Sequence, residues 1–246
     1  MFRLKGERDL VTDVDGAAER QIVDQIGDIF PNHAVLAEEG SIGGSDIQHR
    51  WIVDPLDGTT NFAHTLPISC VSIAYQRDGV TEVAVTFDPH RQEMFVGIRG
   101  SGAYCNEQRI QTSSTRALAD SVIGTGIPYQ ASHLVKGIDQ IRSVAERAMA
   151  IRVLGSAALE AAYVASGRLD GYWEHWGVWP WDLAAGALLI SEAGGRVSGI
   201  DGRELQLDGS EVAASNAHVH DELLAAIRGD HWKEGERSRM PRRTEA

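Results

Sequence analysis

The segment from Trp51 to Asn61 constrains the fold more than any other stretch of the chain. It reads Trp-Ile-Val-Asp-Pro-Leu-Asp-Gly-Thr-Thr-Asn. The apolar run before Asp54 predicts a buried strand. Pro55 lacks the N–H group that a strand interior needs, so we expect the strand to stop there. Asp54 and Asp57 are then left at the strand end, facing the crevice beyond it.

The residues that follow this strand suit the binding of an anion. Gly58 permits a tight turn, and the backbone N–H groups of Thr59 and Thr60 can then point at a phosphate. Carboxylates such as Asp54 and Asp57 prefer a hard cation. The segment therefore predicts an enzyme that uses Mg²⁺ and acts on a phosphate compound.

Composition limits the classes of partner. A chain of 246 residues with 43% hydrophobic and 24% charged residues is typical of a soluble globular protein with one large core or two subdomains. Its apolar runs are shorter than the ~20 residues that span a bilayer, and its start does not resemble a signal peptide. Two cysteines, Cys70 and Cys105, indicate a reduced, cytoplasmic protein. The net charge of −12 argues against direct nucleic-acid binding but does not exclude a small anionic substrate as the partner.

The order of predicted elements indicates a layered α/β architecture. We expect a first helix over 12–30, a strand over 34–37, a flexible loop over 40–45 and an antiparallel meander over 69–110. Beyond about residue 130, strands alternate with helices over 135–149, 155–165, 180–193 and 218–227. We therefore expect an N-terminal α+β half over 1–130 and a C-terminal α/β half over 131–228. The two halves form one compact unit, and 229–246 form a flexible tail.

Acidic residues at the ends of these elements have ordinary interpretations when taken singly. Asp15 and Asp182 fall in helix first turns, where the macrodipole favours acids, and Glu38 and Glu39 can be a solvated strand end. If they converge with Asp54, each ionised pair 4 Å apart costs about 4 kcal/mol at an effective dielectric of 20. Such a cluster stays ionised only with cations. Oxygen ligands select Mg²⁺, Mn²⁺ or Ca²⁺, and chemistry on a phosphate favours Mg²⁺ among them.

Several motifs together resemble the inositol monophosphatase family, and most of all its bacterial inositol-1-monophosphatase branch. The resemblance extends from about residue 5 to residue 227. It implies a layered αβαβα sandwich of the inositol monophosphatase type, lacking most of the usual N-terminal helix. The segments that carry it are 9–15, 37–39, 51–62, 155–158, 167–171 and 181–186.

The resemblance implies a set of metal ligands and catalytic groups. Glu38, Asp54 and the Leu56 carbonyl would hold a first Mg²⁺, and Asp54, Asp57 and Asp182 a second. A third, weaker ion facing Glu38 remains an open alternative. Thr59, with Asp15 behind it, would orient a metal-activated water and take up its proton as that water attacks phosphorus in line.

The resemblance also implies the substrate-binding groups. The amides of Gly58, Thr59 and Thr60 would bind the phosphate. Asp57 and Glu174 would contact inositol hydroxyls, and the loop of Gly155, Ser156 and Ala157 would flank the ring. Residues 175–179, His-Trp-Gly-Val-Trp, are more aromatic than the resemblance leads us to expect, which affects the alcohol that is accepted.

The implied activity is hydrolysis of inositol-1-phosphate to inositol and phosphate. One alternative keeps the chemistry but changes the substrate to fructose-1,6-bisphosphate, histidinol phosphate or 3′-phosphoadenosine phosphates. Another is a protein that chiefly binds the transcription machinery. The resemblance further implies a homodimer.

Overall fold

The computed structural model describes residues 2–4, 10–40, 44, 46–207 and 211–229. Strands β1 (Phe2–Leu4) and β2 (Leu10–Thr12) pair antiparallel. Helix α1 (Asp13–Ile29) follows directly. The Thr12 hydroxyl accepts from the Val14 N–H at 3.2 Å, and the Asp15 carboxylate accepts from the Thr12 N–H at 2.9 Å. This capping box starts the helix where the sequence predicts it.

The first sheet has seven strands in the order β3-β4-β5-β6-β7-β8-β9. Strands β3 and β4 are parallel, and all later neighbours are antiparallel, which confirms the predicted meander. Helix α2 (Thr59–Ala63) separates β4 from β5. The strands are β3 (His33–Ala37), β4 (Asp46–Asp57), β5 (Cys70–Arg77), β6 (Val80–Asp88), β7 (Glu93–Ile98), β8 (Gly102–Cys105) and β9 (Gln108–Ile110).

The prediction that Pro55 stops the strand is wrong, because β4 continues to Asp57. Its pairing with β5 changes register between Asp54 and Asp57, so Pro55 and Leu56 lie in a bulge. A proline without an N–H is tolerated in a bulge because no ladder hydrogen bond is required there. The Leu56 N–H donates instead to Asp54 Oδ1 at 2.9 Å.

The second sheet has five strands in the order β11-β10-β12-β14-β13. Two of them, β10 and β13, were not predicted from the sequence. A short 3₁₀ helix over Leu118–Asp120 precedes the sheet. In chain order the remaining elements are β10 (Val122–Thr125), α3 (Ala131–Ala145), β11 (Ala150–Arg152), α4 (Ala157–Ala165), β12 (Gly171–His175), α5 (Pro180–Glu192), β13 (Arg196–Ser198), β14 (Glu211–Ser215) and α6 (His220–Ile227).

The elements stack as five layers, which confirms the predicted αβαβα fold. Helix α1 packs on β3 and β4. Helices α4 and α5 contact strands of both sheets and form the central helical layer, while α3 and α6 pack on each other and on the second sheet. The central helices approach closely at Gly186, which has no side chain to keep them apart. A Cβ at this position would lie only 2.5 Å from the Ala161 Cβ.

Some predictions concern parts of the chain that the structure does not test. Most of the predicted loop over 40–45 and nearly all of the predicted tail over 229–246 lie outside the described residues. The division into halves at residue 130 stays a prediction. Over the described ranges, no helix combines the length and apolar character needed to cross a bilayer.

Candidate active site

Three aspartates from two distant parts of the chain meet at one point. Asp54 and Asp57 lie at the end of β4, and Asp182 lies in the first turn of α5. One carboxylate oxygen from each lies within 4.8 Å of the others. The Trp179 N–H donates to Asp182 Oδ2 at 2.6 Å, so a capping contact also orients this aspartate.

The pKa values of these aspartates show how unfavourable the cluster is without a cation. Burial raises the pKa of Asp54 well above its usual value, and the charges of Asp57, Glu38 and Asp182 raise it further. Burial also raises the pKa of Asp182, with Asp57 as the next cause. Acidic oxygens held this close, one of them buried and two half-buried, fit a hard divalent cation, which would remove the repulsion.

Asp57 is held by the start of α4. Burial raises its pKa, and hydrogen bonds to its carboxylate oppose that rise. The Ser156 hydroxyl donates to Asp57 Oδ2 at 2.6 Å, and the Ala158 N–H donates to the same oxygen at 2.8 Å. Ser156, predicted to flank the substrate, therefore also orients a predicted metal ligand.

Glu38 follows β3 and lines the same cavity. Its N–H donates to the Val53 carbonyl at 3.2 Å, which continues the pairing of β3 with β4. Its side chain lies outside the aspartate triplet, but its charge contributes to the raised pKa values of Asp54 and Asp182. The fourth predicted acidic ligand is thus close enough to act on the cluster.

Thr59 joins the cluster to helix α1. Its hydroxyl lies 3.1 Å from Asp15 Oδ1 and 3.0 Å from the Leu56 carbonyl oxygen. A hydroxyl has one hydrogen to donate, so Thr59 serves one of these acceptors at a time and keeps lone pairs to accept another bond. Asp15 is fully buried and lies within hydrogen-bond distance of Thr59.

Gly58 shapes the predicted phosphate turn. It adopts φ +86°, and a Cβ there would lie 2.8 Å from the Ile68 carbonyl oxygen, so only glycine fits. Helix α2 begins at the next residue, and the amides of a helix first turn have no intrahelical acceptor. Thr59 and Thr60 are therefore placed to present N–H groups.

Two residues at this site were not predicted from the sequence. The Asn61 side-chain amide donates to the Leu154 and Ile68 carbonyls at 2.8 and 2.9 Å and so ties the turn to the loop before α4. Glu160, buried in α4, accepts from the Leu154 N–H at 2.6 Å. Two features of the sequence could have pointed to them: Asn61 is the amide that ends the 51–61 segment, and Glu160 is an acid within an otherwise apolar helix.

Glu174 lies in the same cavity, on β12. The Tyr172 hydroxyl donates to Glu174 Oε2 at 2.5 Å. Removal from water raises the pKa of Glu174 to about 7, because its cost exceeds the opposing effect of the Tyr172 hydrogen bond. A carboxyl of this kind can accept or donate a hydrogen bond to an alcohol near neutral pH.

The cavity has a volume of about 800 Å³ and an aromatic outer wall. The Trp176 ring stacks on His175 and on His133, with centroid distances of 3.4 and 4.8 Å. Trp179 stacks on Trp181 at 5.5 Å but remains 53% exposed. The segment noted as unusually aromatic therefore borders the space beside the acidic cluster.

All the predicted site residues except Asp15 line this cavity, and Asp15 reaches it through Thr59. Their individual roles stay predictions. The fold and site define a class of protein: a layered α/β protein with a cavity built around a cluster of carboxylates.

Comparisons with known proteins assign the chain within this class. A model of the inositol monophosphatase family matches residues 3–233. An inositol-1-monophosphatase of Mesorhizobium japonicum is 44% identical over 92% of this chain and 85% of its own length. The Nus factor SuhB of Escherichia coli is 43% identical over 92% of this chain and 85% of its own length. The crystal structure of extragenic suppressor protein suhB from Bartonella henselae aligns with a TM-score of 0.90 at 40% identity, covering 94% of this chain and 89% of that one.

The chain belongs to the inositol monophosphatase family.

Proposed function

We propose that this protein is a Mg²⁺-dependent phosphomonoesterase that hydrolyses inositol-1-phosphate to inositol and phosphate. The observation that carries the proposal is the meeting of Asp54, Asp57 and Asp182 beside the Thr59 hydroxyl in one cavity. Family membership supports the reaction type, and the relative named inositol-1-monophosphatase supports the substrate.

The acidic residues would hold the cations. Glu38, Asp54 and the Leu56 carbonyl are the proposed ligands of one Mg²⁺. Asp54, Asp57 and Asp182 are those of a second, and a third ion beside Glu38 is the alternative count. When bound, Mg²⁺ supplies positive charge that offsets the carboxylates, stabilises phosphoryl oxygens and lowers the pKa of a bound water.

Thr59 and Asp15 are the proposed proton-handling pair. Thr59 Oγ1 donates its hydrogen to Asp15 and can accept a hydrogen bond from the attacking water. As the water attacks phosphorus, its proton passes to Thr59 Oγ1 while the Thr59 proton moves to Asp15. The hydroxyl thus orients the water without forming a covalent intermediate.

The remaining residues would bind the ester itself. The amides of Gly58, Thr59 and Thr60 bind phosphoryl oxygens at the start of α2. Glu174 accepts a hydrogen bond from an inositol hydroxyl, and Asp57 reaches a second hydroxyl. Gly155, Ser156 and Ala157 flank the ring from the loop before α4.

A different alcohol is the second candidate within the same chemistry. The exposed Trp179 in the cavity wall favours an alcohol that carries an aromatic ring, such as a purine or an imidazole, over a plain polyol. The candidates are fructose-1,6-bisphosphate, histidinol phosphate and 3′-phosphoadenosine phosphates.

A role in binding the transcription machinery is the third candidate. It is favoured by the 43% identity to a protein named Nus factor SuhB. A variant that cannot hydrolyse phosphate esters but still binds purified transcription components would support it. We also propose a cytoplasmic homodimer. The two free cysteines suit a reducing compartment, and light scattering would measure the mass.

The first experiment compares phosphate release from inositol-1-phosphate and from the three alternative substrate classes, with Mg²⁺ and with EDTA. We expect EDTA-sensitive release, fastest from inositol-1-phosphate. Asp54→Asn should abolish it, while Asp120→Asn, which removes a charge from an exposed position, should not. Full Mg²⁺-dependent turnover by Asp54→Asn would refute the ligand assignment, and a faster alternative substrate would transfer the assignment to that alcohol.

A further inference from the structure

The buried face of helix α1 carries an acid whose place is not explained by packing. Val23 and Ile26 on this face join the apolar core with β3 and β4. One and two turns nearer the N-terminus, the same face carries Glu19 and Asp15, which are 5% and 0% exposed. Asp15 lies in the first turn, where the helix dipole favours an acid, but Glu19 lies beyond the range of that effect. A buried carboxylate needs strong hydrogen bonds.

Glu19 makes such a bond with the segment that carries Glu38. The Glu39 N–H donates to Glu19 Oε2 at 2.8 Å. A Cβ on Gly40 would lie 3.9 Å from Glu19 Oε1, so the carboxylate lies against this turn. The Glu38 N–H is already bound to the Val53 carbonyl at 3.2 Å. Two consecutive amides are therefore fixed, one by the sheet and one by helix α1.

This second attachment matters because Glu38 faces like charges. Its carboxylate contributes to the raised pKa of Asp54 and of Asp182 and lines the same cavity. Before a cation binds, electrostatic repulsion pushes Glu38 away from that cluster. A charged acceptor forms a shorter and stronger bond to an amide than a neutral one does, which suits a glutamate at position 19.

We propose that Glu19 is a positioning residue that holds the 38–39 segment so that Glu38 is preorganised beside Asp54 and Asp182 for a divalent cation. This inference rests on the cation site of the proposed function. It assigns Glu19 no contact with substrate. Helix α1 then supports the site twice, through Asp15 to Thr59 and through Glu19 to Glu38.

The test measures Mg²⁺ binding to the full chain by isothermal titration calorimetry and by the rise in unfolding temperature with Mg²⁺. We expect Glu19→Ala to raise the Mg²⁺ dissociation constant about tenfold, at the low end of the 10–100-fold cost typical of groups that orient metal ligands. Glu19→Gln keeps an oxygen acceptor and should lose less. Asp24→Ala removes an acid from the exposed face of the same helix and should leave the constant unchanged.

A double-mutant cycle separates positioning from a general structural effect. In a Glu38→Gln background, Glu19→Ala should cause little further loss of Mg²⁺ affinity, because the ligand that Glu19 holds is already impaired. An equal loss in both backgrounds, or no loss in the single variant, would overturn the proposal. If Glu19→Ala does not fold, the same cycle run with Glu19→Gln gives the answer.

The outcome also separates this inference from the proposed activity. Mg²⁺ binding with the predicted coupling but without ester hydrolysis would support the role of Glu19 and refute the phosphatase. Ester hydrolysis without coupling between Glu19 and Glu38 in Mg²⁺ affinity would support the phosphatase and refute the role of Glu19. A wild-type chain that binds no Mg²⁺ would refute both.

Discussion

Replacing Asp54 by Asn should stabilise the metal-free protein. Asp54 is 2% exposed, and Asp57 and Asp182 each offer a carboxylate oxygen within 4.8 Å. At that distance and an effective dielectric of 20, each ionised pair costs about 3 kcal/mol. The pKa values of the three aspartates are all raised, so part of the cluster is protonated and the repulsion is smaller than this sum. We therefore expect Asp54→Asn to raise the free energy of unfolding by about 2 kcal/mol. The variant keeps an oxygen that accepts from the Leu56 N–H, so this hydrogen bond is not lost.

The assay is urea and thermal unfolding at mildly alkaline pH, first in EDTA and then with Mg²⁺. In EDTA, Asp54→Asn should unfold about 4–8 °C above wild type, the shift that about 2 kcal/mol causes in a chain of this size. With Mg²⁺ the order should reverse, because only wild type gains the full stabilisation of a bound ligand. The carboxylate of Asp54 would then lower the stability of the metal-free protein while being required for Mg²⁺ binding and catalysis.

Asp88→Asn is the matched control. Asp88 is also fully buried, but it accepts from the Arg91 guanidinium at 3.0 Å and from two backbone amides. Loss of its charge should destabilise the protein in both conditions and leave the response to Mg²⁺ intact. An Asp54→Asn variant less stable than wild type in EDTA would show that the acids are not in electrostatic conflict and would refute the reasoning.

Three further predictions concern other parts of the site and core. Gly58→Ala should cost at least about 2 kcal/mol and most of the activity, because φ is +86° and the new Cβ would lie 2.8 Å from the Ile68 carbonyl; a gain in stability in urea unfolding would contradict this. Asn61→Ala should lower kcat more than global stability, because the amide ties the phosphate turn to the Leu154 loop, and steady-state kinetics beside unfolding curves would reveal unequal effects. Burial lowers the pKa of His220 to about 4, so the unfolded chain takes up its proton first. Stability should fall by about 3 kcal/mol as pH drops from 6.5 to 4. His220→Gln should reduce this loss, and an unchanged pH profile would exclude His220 as its source.

Local patterns alone predicted many elements and singled out the acids, glycine and hydroxyls of the 51–61 segment as candidates, while the roles of the other residues came from the family resemblance. The Thr12 cap, the apolar spacing on α1 and the alternation in the meander act over a few residues, so they are readable without a fold. The 51–61 motif likewise carries its acids, glycine and hydroxyls in one segment. Strands β10 and β13 were missed because they are short and draw their stability from neighbours distant in the chain.

By itself, the sequence determined which residues are candidates for the site: the acids, the Gly58 turn and the Thr59 hydroxyl. Only the tertiary structure decided that they converge. Asp57 is oriented by Ser156, 99 residues away, and Asp182 arrives from the central helical layer. The reason is energetic: like charges do not gather unless packing and long-range hydrogen bonds offset their burial and repulsion. Those contacts, including the bulge at Pro55 and the bond from Glu39 to Glu19, exist only once the chain is folded.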